Sequence, residues 1–470
     1  MALAVHTPGA GDFASLRAEF ELPESFPADV LAEAESVAGD PAGDGSREDA
    51  TDLPLVTVDP PGSKDLDQAV LIEPLAGGGF RVQYAIADLA AFVPPGGPLD
   101  REARRRGQTL YLPDGNVPLH PPELSEGAAS LLPGMVRPSV LWTIDTDAEG
   151  EPVSVHVRRA LVRSTERFDY ETVAAGLAAG TAHPSISALP ALGRRRRELA
   201  VRRGAVELQL PEQEIVAGPD GGWILTRRPR PDVEAWNAEI SLLTGMVAAS
   251  IMLEAGVGVL RTLPEADDET VNWLRRSAHA LGIDWPRGAT VSELLAGLDP
   301  RNPASLALYA GTTRLLRGAG YTSFDGGRPS AAAHAGIGGP YAHVTAPIRR
   351  LVDRFATEVC LAVTHGRPVP DWVREALGEL PELMSASDNR AARVERACLD
   401  QVEAWILAEH VGRTFDAVVL RAEETKAEVF LENPPVLGKC GGTGFPDSGR
   451  ITVRLTAVDI EKRKVSFERA

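Results

Sequence analysis

Apolar runs alternate with turn-forming residues over the first third of the chain. Between residues 53 and 165 the runs read LPLVTV, AVLIEP, FRVQYAIA, TLYLP, SVLWTIDT and VSVHVRRALV, separated by turn-forming residues such as glycine, proline and aspartate. Branched and aromatic side chains pack well on a pleated surface, whereas the separating residues favour turns. The pattern therefore predicts short β-strands across this region.

The middle of the chain has helical periodicity. Residues 168–215 predict helix, EIVAGPDGGWILTRR then predicts a strand pair, and residues 233–412 predict mainly helix, interrupted by a glycine- and alanine-rich loop at 322–344. Before the first strands, PADVLAEAESVA predicts one amphipathic helix over residues 27–38, followed by the linker GDPAGDGS. Strands and helices in separate blocks are typical of the α+β class.

The last part of the chain returns to strands. FDAVVLRA, KAEVFLE, GRITVRLTAVDI and KRKVSFER follow one another between residues 413 and 470. We interpret this tail as a small five-stranded barrel of the OB type, a fold that often binds single-stranded RNA.

Composition limits the class of protein. The chain has 470 residues, of which 44% are hydrophobic and 24% charged, as in globular proteins. We find no apolar run of membrane-spanning length and no signal-peptide pattern at the start. Cys360, Cys398 and Cys440 are far apart and outside any CxxC pattern, which argues against disulfides and zinc. We therefore expect a cytoplasmic location, no membrane or protein partner, and a monomer.

The net charge of −18 argues against a nucleic-acid partner, which normally requires a basic surface. Arginine nevertheless clusters at residues 101–106, 194–203, 227–230 and 349–350. Because arginine forms bidentate contacts with phosphate, a basic channel can lie beneath an acidic exterior. The alternative for each cluster is a solvated helix face, which is the better interpretation at residues 194–197.

An acidic loop lies within VTVDPPGSKDLDQAV, residues 56–70, and carries Asp59, Asp65 and Asp67. Carboxylates packed this closely repel one another unless a cation neutralises them or water surrounds them all. The apolar runs on either side anchor the loop to a core, and hard oxygen ligands suit Mg²⁺ or Mn²⁺. The sequence PPG within the loop equally predicts a surface turn, so the loop alone leaves both interpretations open.

A second informative segment, called the arginine segment below, is YAHVTAPIRRLVDR, residues 341–354. Pro347 fits the first position of a helix, which places Arg349 and Arg350 in its first turn. The free N–H groups of a helix start attract anions, so an arginine there completes an anion site. The alternative is that Arg349 pairs with Asp353, four residues on.

These features together resemble the ribonuclease II / ribonuclease R (RNB) family of processive 3′→5′ exoribonucleases, over residues 50–470. The blocks that carry the resemblance occur in family order. They are LPLVTVDPPGSKDLDQAV, YAIADLAAFVPPGGPLDREARRRGQTLYLPDGNVPLHPPELSEGAASL, RFDYETV, GAVELQLPE and AHAGIGGPYAHVTAPIRRLVDR. The last is the most specific, since the family's form is close to YxHFTSPIRRYxDL.

The resemblance implies a fold and three parts. Residues 1–50 form a short segment with a helix and linker, because they cannot hold the two cold-shock-type barrels that the family normally carries. Residues 51–411 form an RNB catalytic domain, a mixed β-sheet wrapped by helices around an RNA channel. Residues 412–470 form an S1-like OB-fold barrel that binds RNA.

The resemblance also implies catalytic roles. Asp59 and Asp65 would hold a catalytic Mg²⁺, or Mn²⁺, against the scissile phosphate. Asp67 would be the carboxylate most needed for chemistry, and Arg349 would clamp the phosphate. The fourth metal ligand of the family, an acid, is Gln68 here. Gln68 keeps a carbonyl oxygen but loses a charge, so we expect weaker metal binding and slower turnover.

The implied RNA-binding residues are Tyr111, Tyr170, Leu208, Glu239, His343, Arg350 and Glu395. Tyr111 would stack on the 3′ base, and Tyr170 further along the strand. Glu239 and Glu395 would accept hydrogen bonds from ribose hydroxyls, which distinguish RNA from DNA. Without the resemblance, Tyr111 reads as a strand aromatic, Tyr170 as the start of a helix, and Glu395 as a solvated helix position.

The sequence departs from the family pattern at further positions, among them Ala346, where the family usually has serine. Leu208 stands near the place of an aromatic that would sandwich the 3′ base, so we expect a looser base clamp, because stacking contributes roughly 1–3 kcal/mol per base. Gly245 stands where a helical block, AEISLLTG, usually ends in asparagine.

The implied function is processive 3′→5′ hydrolysis of single-stranded RNA to nucleoside 5′-monophosphates. The alternative is an RNA-binding family member with weakened or lost nuclease activity, for which Gln68 and Leu208 are the motivation. A third hypothesis, an acidic metal-binding structural protein, leaves the arginine segment and the barrel unexplained.

Overall fold

The computed structural model describes residues 12–39, 47–206, 212–218, 221–228, 231–299, 302–446 and 448–470. The helices are α1 (Ala14–Glu19), α2 (Ala28–Gly39), α3 (Pro98–Arg106), α4 (Tyr170–Ala179), α5 (Leu189–Arg202), α6 (Asp232–Ala255), α7 (Asp268–Ala280), α8 (Val291–Ala296), α9 (Pro303–Thr312), α10 (Leu351–Thr364), α11 (Asp371–Leu377) and α12 (Leu380–Ala408).

The strands are distributed along the whole described chain. They are β1 (Glu48–Asp49), β2 (Val56–Val58), β3 (Gln68–Pro74), β4 (Phe80–Ala87), β5 (Leu110–Leu112), β6 (Gly115–Val117), β7 (Val136–Thr146), β8 (Pro152–Arg163), β9 (Glu166–Phe168), β10 (Glu212–Ala217), β11 (Trp223–Arg228), β12 (Val257–Thr262), β13 (Gly320–Asp325), β14 (Ala333–His334), β15 (Gly339–Pro340), β16 (Thr414–Ala422), β17 (Lys426–Glu432), β18 (Pro435–Gly441), β19 (Gly449–Asp459) and β20 (Lys464–Arg469).

A seven-stranded sheet in the order β1-β8-β7-β4-β3-β2-β9 forms the centre of the molecule. Its pairs β1–β8 and β2–β9 are parallel and the others antiparallel, so the predicted mixed sheet is confirmed. Alternate residues of β3 enter different apolar clusters: Val70 and Ile72 lie in one, Ala69 and Leu71 in the other. The sheet is thus buried on both faces, which holds β3 and the start of the site firmly in place.

Helix α6 crosses one of these apolar clusters. By length and composition it could span a membrane, but 61% of its most apolar window is buried within the molecule. The helix ends at Gly256, whose φ is 71°, and the chain then enters β12 directly. Its role here is that of a core helix that packs beside α5 and α10.

The strands β12 and β13 were not predicted. They pair antiparallel from Val257↔Asp325 to Thr262↔Gly320, within a region predicted to be helix and loop. A short apolar run does not reveal by periodicity whether it is strand or buried helix, and its partner lies far along the chain. Between them, α7, α8 and α9 pack around a small cluster of their own that includes Leu274 and Leu308.

The arginine segment also differs from the prediction. Helix α10 begins at Leu351, so the expected helix start at Pro347 is wrong, and Arg349 and Arg350 precede the helix. Arg350 has an extended backbone, with φ −143° and ψ 123°, and forms a β-bridge with Gln108. The physical reason is a tertiary contact: the backbone of Arg349 and Arg350 pairs with residues 107–109, far away in the sequence, instead of forming a first helical turn.

The C-terminal strands close into a barrel in the order β16-β17-β18-β20-β19, which confirms the predicted OB-type fold. The N-terminal segment packs against the same apolar cluster as the barrel. Phe13 is fully buried, with its ring centroid 5.4 Å from those of both Trp223 and Trp405. Arg463 of the barrel also forms an ion pair with Glu19, at 2.6 Å. These contacts join the barrel to the larger domain.

Candidate active site

A cavity of about 820 Å³ opens beside the first residue of β3. Its walls come from β5, α4, α6, α12 and the arginine segment. The lining residues are Gln68, Gln108, Thr109, Leu110, Tyr111, Tyr170, Glu234, Asn237, Ala238, Ser241, Leu242, Tyr341, Thr345, Ala346, Arg349, Arg350, Ala391, Val394 and Glu395. The cavity thus gathers residues from four of the five sequence blocks that carry the family resemblance.

The acidic loop between β2 and β3 is held at its middle. Leu66 is fully buried, and its backbone N–H donates to Ser130 Oγ at 3.0 Å. The Ser130 hydroxyl in turn donates to the carbonyl of Lys64 at 2.6 Å. The loop therefore has a defined shape, and the interpretation as a simple solvated turn does not describe it.

Asp67 lies at the base of the loop and is only 1% exposed. Its Oδ1 accepts a hydrogen bond from the Ile348 backbone N–H at 2.8 Å, and its Oδ2 accepts one from Arg349 Nε at 2.9 Å. Burial raises the pKa of Asp67 to about 7, although the Arg349 charge and both hydrogen bonds act in the opposite direction. Asp67 therefore connects the acidic loop directly to the arginine segment.

The arginine segment is fixed by backbone contacts as well. Thr109 N–H donates to the Arg349 carbonyl at 2.9 Å, and Leu351 N–H donates to the Gly107 carbonyl at 3.0 Å. These residues lead directly into β5, which carries Tyr111. The position of Arg349 is thereby coupled to that of the exposed tyrosine.

The two arginines have different roles in the structure. The Arg349 side chain is 44% exposed and lines the cavity. Arg350 instead pairs with Asp353, with Nε–Oδ2 at 2.5 Å and Nη2–Oδ1 at 2.8 Å. The alternative pairing of Arg349 with Asp353 is therefore wrong. The carboxylate of Asp353, which is fully buried, also accepts from Ala346 N–H at 2.7 Å and so shapes the segment.

Asp59 has a carboxylate oxygen without a hydrogen-bond partner in the described part of the chain. Its Oδ2 is buried and has no hydrogen-bond partner among the residues that the structure describes. The pKa of Asp59 is raised to about 6, chiefly by burial; the Arg349 charge opposes this shift and the Asp65 charge adds to it. Such an atom is a natural ligand for a cation.

Asp65 lies at the rim of the site. Its Oδ2 accepts a hydrogen bond from the Tyr111 hydroxyl at 3.0 Å. Tyr111 itself is 54% exposed, which is unusual for a large aromatic residue in a strand whose neighbours Leu110 and Leu112 are buried. The ring is thus positioned by the acidic loop and remains accessible.

Gln68 is the first residue of β3, paired in the ladder with Ile86. Its side-chain Nε2 donates a hydrogen bond to the backbone carbonyl of Thr345. The amide therefore makes a second connection between the acidic loop and the arginine segment, next to that of Asp67.

The donor set fits a hard divalent cation in part. Within the described ranges, no group of three or more His, Cys, Asp or Glu side chains is arranged to hold a metal ion. Asp67 accepts a hydrogen bond on each carboxylate oxygen and Gln68 donates through its Nε2, both to the arginine segment, and the predicted set of four protein ligands stays a prediction. Asp59 and Asp65 remain, and Mg²⁺ commonly binds one or two carboxylates and completes its shell with water and phosphate.

The other predicted RNA-binding residues separate into two groups. Tyr170, Arg350 and Glu395 line the cavity together with Tyr111. Leu208 lies outside the described residues. Glu239 and His343 form the second group.

Glu239 and His343 do not line the cavity. Glu239 is 6% exposed and lies 4.0 Å from Nε of the fully buried Arg196, so the structure does not support the predicted contact with ribose. His343 packs edge-on against Tyr321 and Tyr341, and its Nδ1 is 2.8 Å from the Tyr321 hydroxyl. His343 thus packs against Tyr341, which lines the cavity.

One wall of the cavity was not predicted from the sequence. Asn237 and Ser241 lie one turn apart on α6 and face the site, with Ala238 and Leu242 beside them. Polar residues four positions apart on an otherwise apolar helix are a signal that could have identified this face.

The departure at Gly245 has a structural explanation. A Cβ atom at this position would lie 2.2 Å from Tyr341 Cε2 and 2.5 Å from the Ala342 carbonyl oxygen. The carbonyl of Gly245 also accepts a hydrogen bond from Ala342 N–H at 3.0 Å. Asparagine would not fit here, because the start of the arginine segment packs directly on the backbone of α6.

Replacing Asp59 with asparagine is expected to stabilise the metal-free protein at pH 8. The folded pKa of about 6 exceeds the ordinary 3.8. This shift stabilises the fold below pH 4, and the contribution is lost as the pH rises through 6. Two pKa units correspond to about 3 kcal/mol, which solvent access reduces to roughly 1–2 kcal/mol.

Thermal unfolding in EDTA at pH 8 and pH 5 tests this prediction. The Asp59→Asn protein should melt higher than the wild type at pH 8, with a smaller difference at pH 5. A difference that does not depend on pH, or a variant that melts lower at pH 8, would contradict it.

Comparison with known families and structures gives a consistent result. A model of the RNB domain matches residues 47–363, and a model of the RNase II-type exonuclease C-terminal S1 domain matches residues 413–470. Ribonuclease R of Thermotoga maritima is 26% identical over 452 residues, covering 90% of this chain and 62% of the relative. The chain spans about three fifths of the length of the relatives it matches.

Solved structures show the same fold. Mycoplasma genitalium RNase R in complex with ribose methylated single-stranded RNA matches with a TM-score of 0.85 and 21% identity, over 97% of this chain and 77% of the other. Yeast Ssd1, a pseudonuclease, matches with a TM-score of 0.70 and 16% identity, over 90% of this chain and 54% of the other. At these identities the likeness concerns the fold alone.

Proposed function

Because the chain belongs to the RNB family, we propose that it is a processive 3′→5′ exoribonuclease that hydrolyses single-stranded RNA to nucleoside 5′-monophosphates. The observation that carries this proposal is the contact between Asp67 and Arg349, at 2.9 Å, on the wall of a cavity large enough for a nucleotide. A buried acid that holds an exposed arginine beside two further carboxylates suits a phosphodiester better than it suits a neutral substrate.

We propose Mg²⁺ as the metal, with Mn²⁺ as a substitute, held by Asp59 and Asp65. A divalent cation bound there supplies positive charge to the phosphate and lowers the pKa of water for attack. Among the described residues Oδ2 of Asp59 has no hydrogen-bond partner, which supports this assignment, because a buried carboxylate oxygen is costly unless it is coordinated or hydrogen-bonded.

Arg349 would bind the scissile phosphate. Its Nε donates to Asp67, and within the described part of the chain no hydrogen bond to its terminal nitrogens is present. The guanidinium plane is therefore set by Asp67, and the terminal N–H groups would be available to a phosphate. As charge builds on the phosphate oxygens during attack, these groups stabilise it without reorganisation.

Base and sugar would be recognised on the other walls. The exposed ring of Tyr111 offers a stacking face for the 3′ base, and Tyr170 offers a second ring within the same cavity. Glu395 is exposed on α12 and faces the cavity, where a carboxylate can accept a hydrogen bond from a ribose hydroxyl. We propose that this contact favours RNA over DNA.

An RNA-shortening assay tests the proposal. Purified protein with 5′-labelled single-stranded RNA and Mg²⁺ should produce a ladder of progressively shorter labelled fragments and nucleoside 5′-monophosphates. EDTA should abolish the ladder, the matching DNA should persist, and a trap of unlabelled RNA added after the start should not stop chains already bound. Persistence of full-length RNA under all metal conditions would refute the enzyme.

The second candidate is a family member that binds RNA without efficient cleavage. Gln68 in place of an acid favours it, and the pseudonuclease Ssd1 shows that the fold can occur without nuclease activity. The same labelled RNA decides between the two: tight binding in a gel shift without any shortening supports this second function.

We further propose a monomer in the cytoplasm. Cys360, Cys398 and Cys440 are all buried free thiols, which agrees with a reducing compartment.

A further inference from the structure

Gln68 occupies the position where the family has an acid, and its side chain meets an acceptor. The atom opposite its Nε2 is the backbone carbonyl oxygen of Thr345. A carboxylate can only accept hydrogen bonds, whereas an amide can donate two. The chemistry of the partner therefore selects an amide at this position, and an aspartate or glutamate would place negative charge against a carbonyl dipole.

The backbone on both sides of this contact is constrained. Gln68 is fixed in the central sheet by its pairing with Ile86. Thr345 is 4% exposed, and the following residues form a turn in which Arg349 and Arg350 N–H groups both donate to the Ala346 carbonyl. One side-chain hydrogen bond thus joins two rigid parts, so it can hold the turn in place at small entropic cost.

The contact acts beside that of Asp67. Asp67 holds the far end of the turn through Ile348 N–H and Arg349 Nε, and Gln68 holds its near end through Thr345. From this geometry we propose that Gln68 is a positioning residue, whose amide donor closes the arginine segment onto the acidic loop and so orients Arg349 before any cation binds. The purpose of this orientation rests on the proposed function, but the closure itself does not.

The Gln68 side chain thus has two possible roles, metal ligand and hydrogen-bond donor, and they can be distinguished. If Gln68 were a weakened metal ligand, an acid at this position would restore a charge and improve the site. As a hydrogen-bond donor it contributes through its N–H group, and an acid of the same size would open the turn. The two roles predict opposite results for Gln68→Glu, which preserves the shape and the oxygen but removes the donor.

Hydrogen exchange of the full-length, metal-free protein tests the proposal without RNA. The variants are Gln68→Glu and Gln68→Met, which both lack the donor, and the control is Glu73→Gln at the exposed far end of β3. In both variants we expect exchange over residues 345–350 to become about tenfold faster, equivalent to roughly 1.4 kcal/mol. Exchange in α10 and in the barrel should stay at wild-type rates, as should all regions of the control.

The contrary outcomes are distinct. Unchanged exchange at residues 345–350 in both variants would overturn the proposal, and so would equal acceleration throughout the molecule, which indicates only general destabilisation. In the RNA assay both variants should lower kcat by about tenfold with little change in KM, whereas a lower Mg²⁺ requirement and a higher kcat for Gln68→Glu would show a metal ligand. If wild-type protein fails to shorten RNA, the proposed function fails while the exchange result still stands.

Discussion

Asp67→Asn is expected to slow the hydrolysis of single-stranded RNA by about 10³-fold, the upper range for loss of one preorganised charge contact. An asparagine side chain has one oxygen and one NH₂ group, but both positions face donors, namely Ile348 N–H and Arg349 Nε. One of the two hydrogen bonds must therefore be lost, and the negative charge that orients the guanidinium is lost with it.

The same change should leave stability almost unaffected. Asp67 is buried and its pKa is raised to about 7, so the charged carboxylate is itself costly to the fold. Removing that cost offsets the lost hydrogen bond, and Arg349 is exposed enough for water to solvate it. Asp67→Asn should therefore lower the rate of hydrolysis while the free energy of unfolding stays close to that of the wild type.

The measurement is single-turnover hydrolysis with saturating protein, together with thermal unfolding. Asp52→Asn is the matched control, because Asp52 is exposed and lies outside the cavity lining. Arg349→Gln should cost a similar factor, and the double variant should be little worse than either single one, since both changes break one unit. An Asp67→Asn protein within tenfold of wild type would contradict this account of the site.

Asp353→Ala is expected to cost about 3–5 kcal/mol of stability, the range for breaking a buried ion pair by removing one partner. Asp353 is fully buried and satisfies both the Arg350 guanidinium and the Ala346 N–H. Its loss leaves a poorly solvated charge and an unpaired amide at the point where the arginine segment turns. Because that turn carries Arg349, RNA hydrolysis should fail together with stability.

An exposed pair of the same spacing provides the control. Asp459 and Lys462 are also three residues apart, but their side chains are 42% and 79% exposed. Asp459→Ala should cost less than about 1 kcal/mol, as surface pairs generally do. Urea unfolding monitored by tryptophan fluorescence distinguishes the two. If both variants lose the same stability, burial of the Arg350–Asp353 pair is not what holds the segment.

Replacing both partners gives a sharper form of this test. Arg350→Met with Asp353→Leu removes the isolated charge and should recover part of the stability that Asp353→Ala loses. It should not recover hydrolysis, because the Ala346 N–H still lacks its acceptor and the turn is no longer defined. Recovery of both properties would show that the pair has no role in positioning Arg349.

Much of the fold could be predicted from local patterns. The strands around the acidic loop and the helix at residues 27–38 follow from apolar spacing and turn residues, and the structure places them as β2, β3, β4, β7, β8 and α2. A five-stranded barrel was predicted and four of its strands were located in the sequence; the structure identifies the fifth as Pro435–Gly441. These elements are encoded locally, because alternation and turn chemistry act over a few neighbouring residues.

The site could be predicted only in part. Asp67 contacts Arg349 and Asp65 contacts Tyr111, while the catalytic and RNA-binding roles that the resemblance implies for them stay predictions. Glu239 does not line the cavity, because the direction in which a side chain of a buried helix points depends on the elements that pack around the helix. The spacing of Asn237 and Ser241 indicates a polar face of α6, but spacing does not show that Glu239 meets the buried Arg196.

The residue pattern alone establishes the family, the order of the domains and the presence of three clustered acids. Only the folded chain decides which of those acids is free for a cation and which is bound by the protein. Asp67 and Gln68 are committed to the arginine segment by contacts that span 282 and 277 positions of sequence. Local periodicity carries no information about such contacts, because burial and hydrogen-bond partners are created when distant segments pack together.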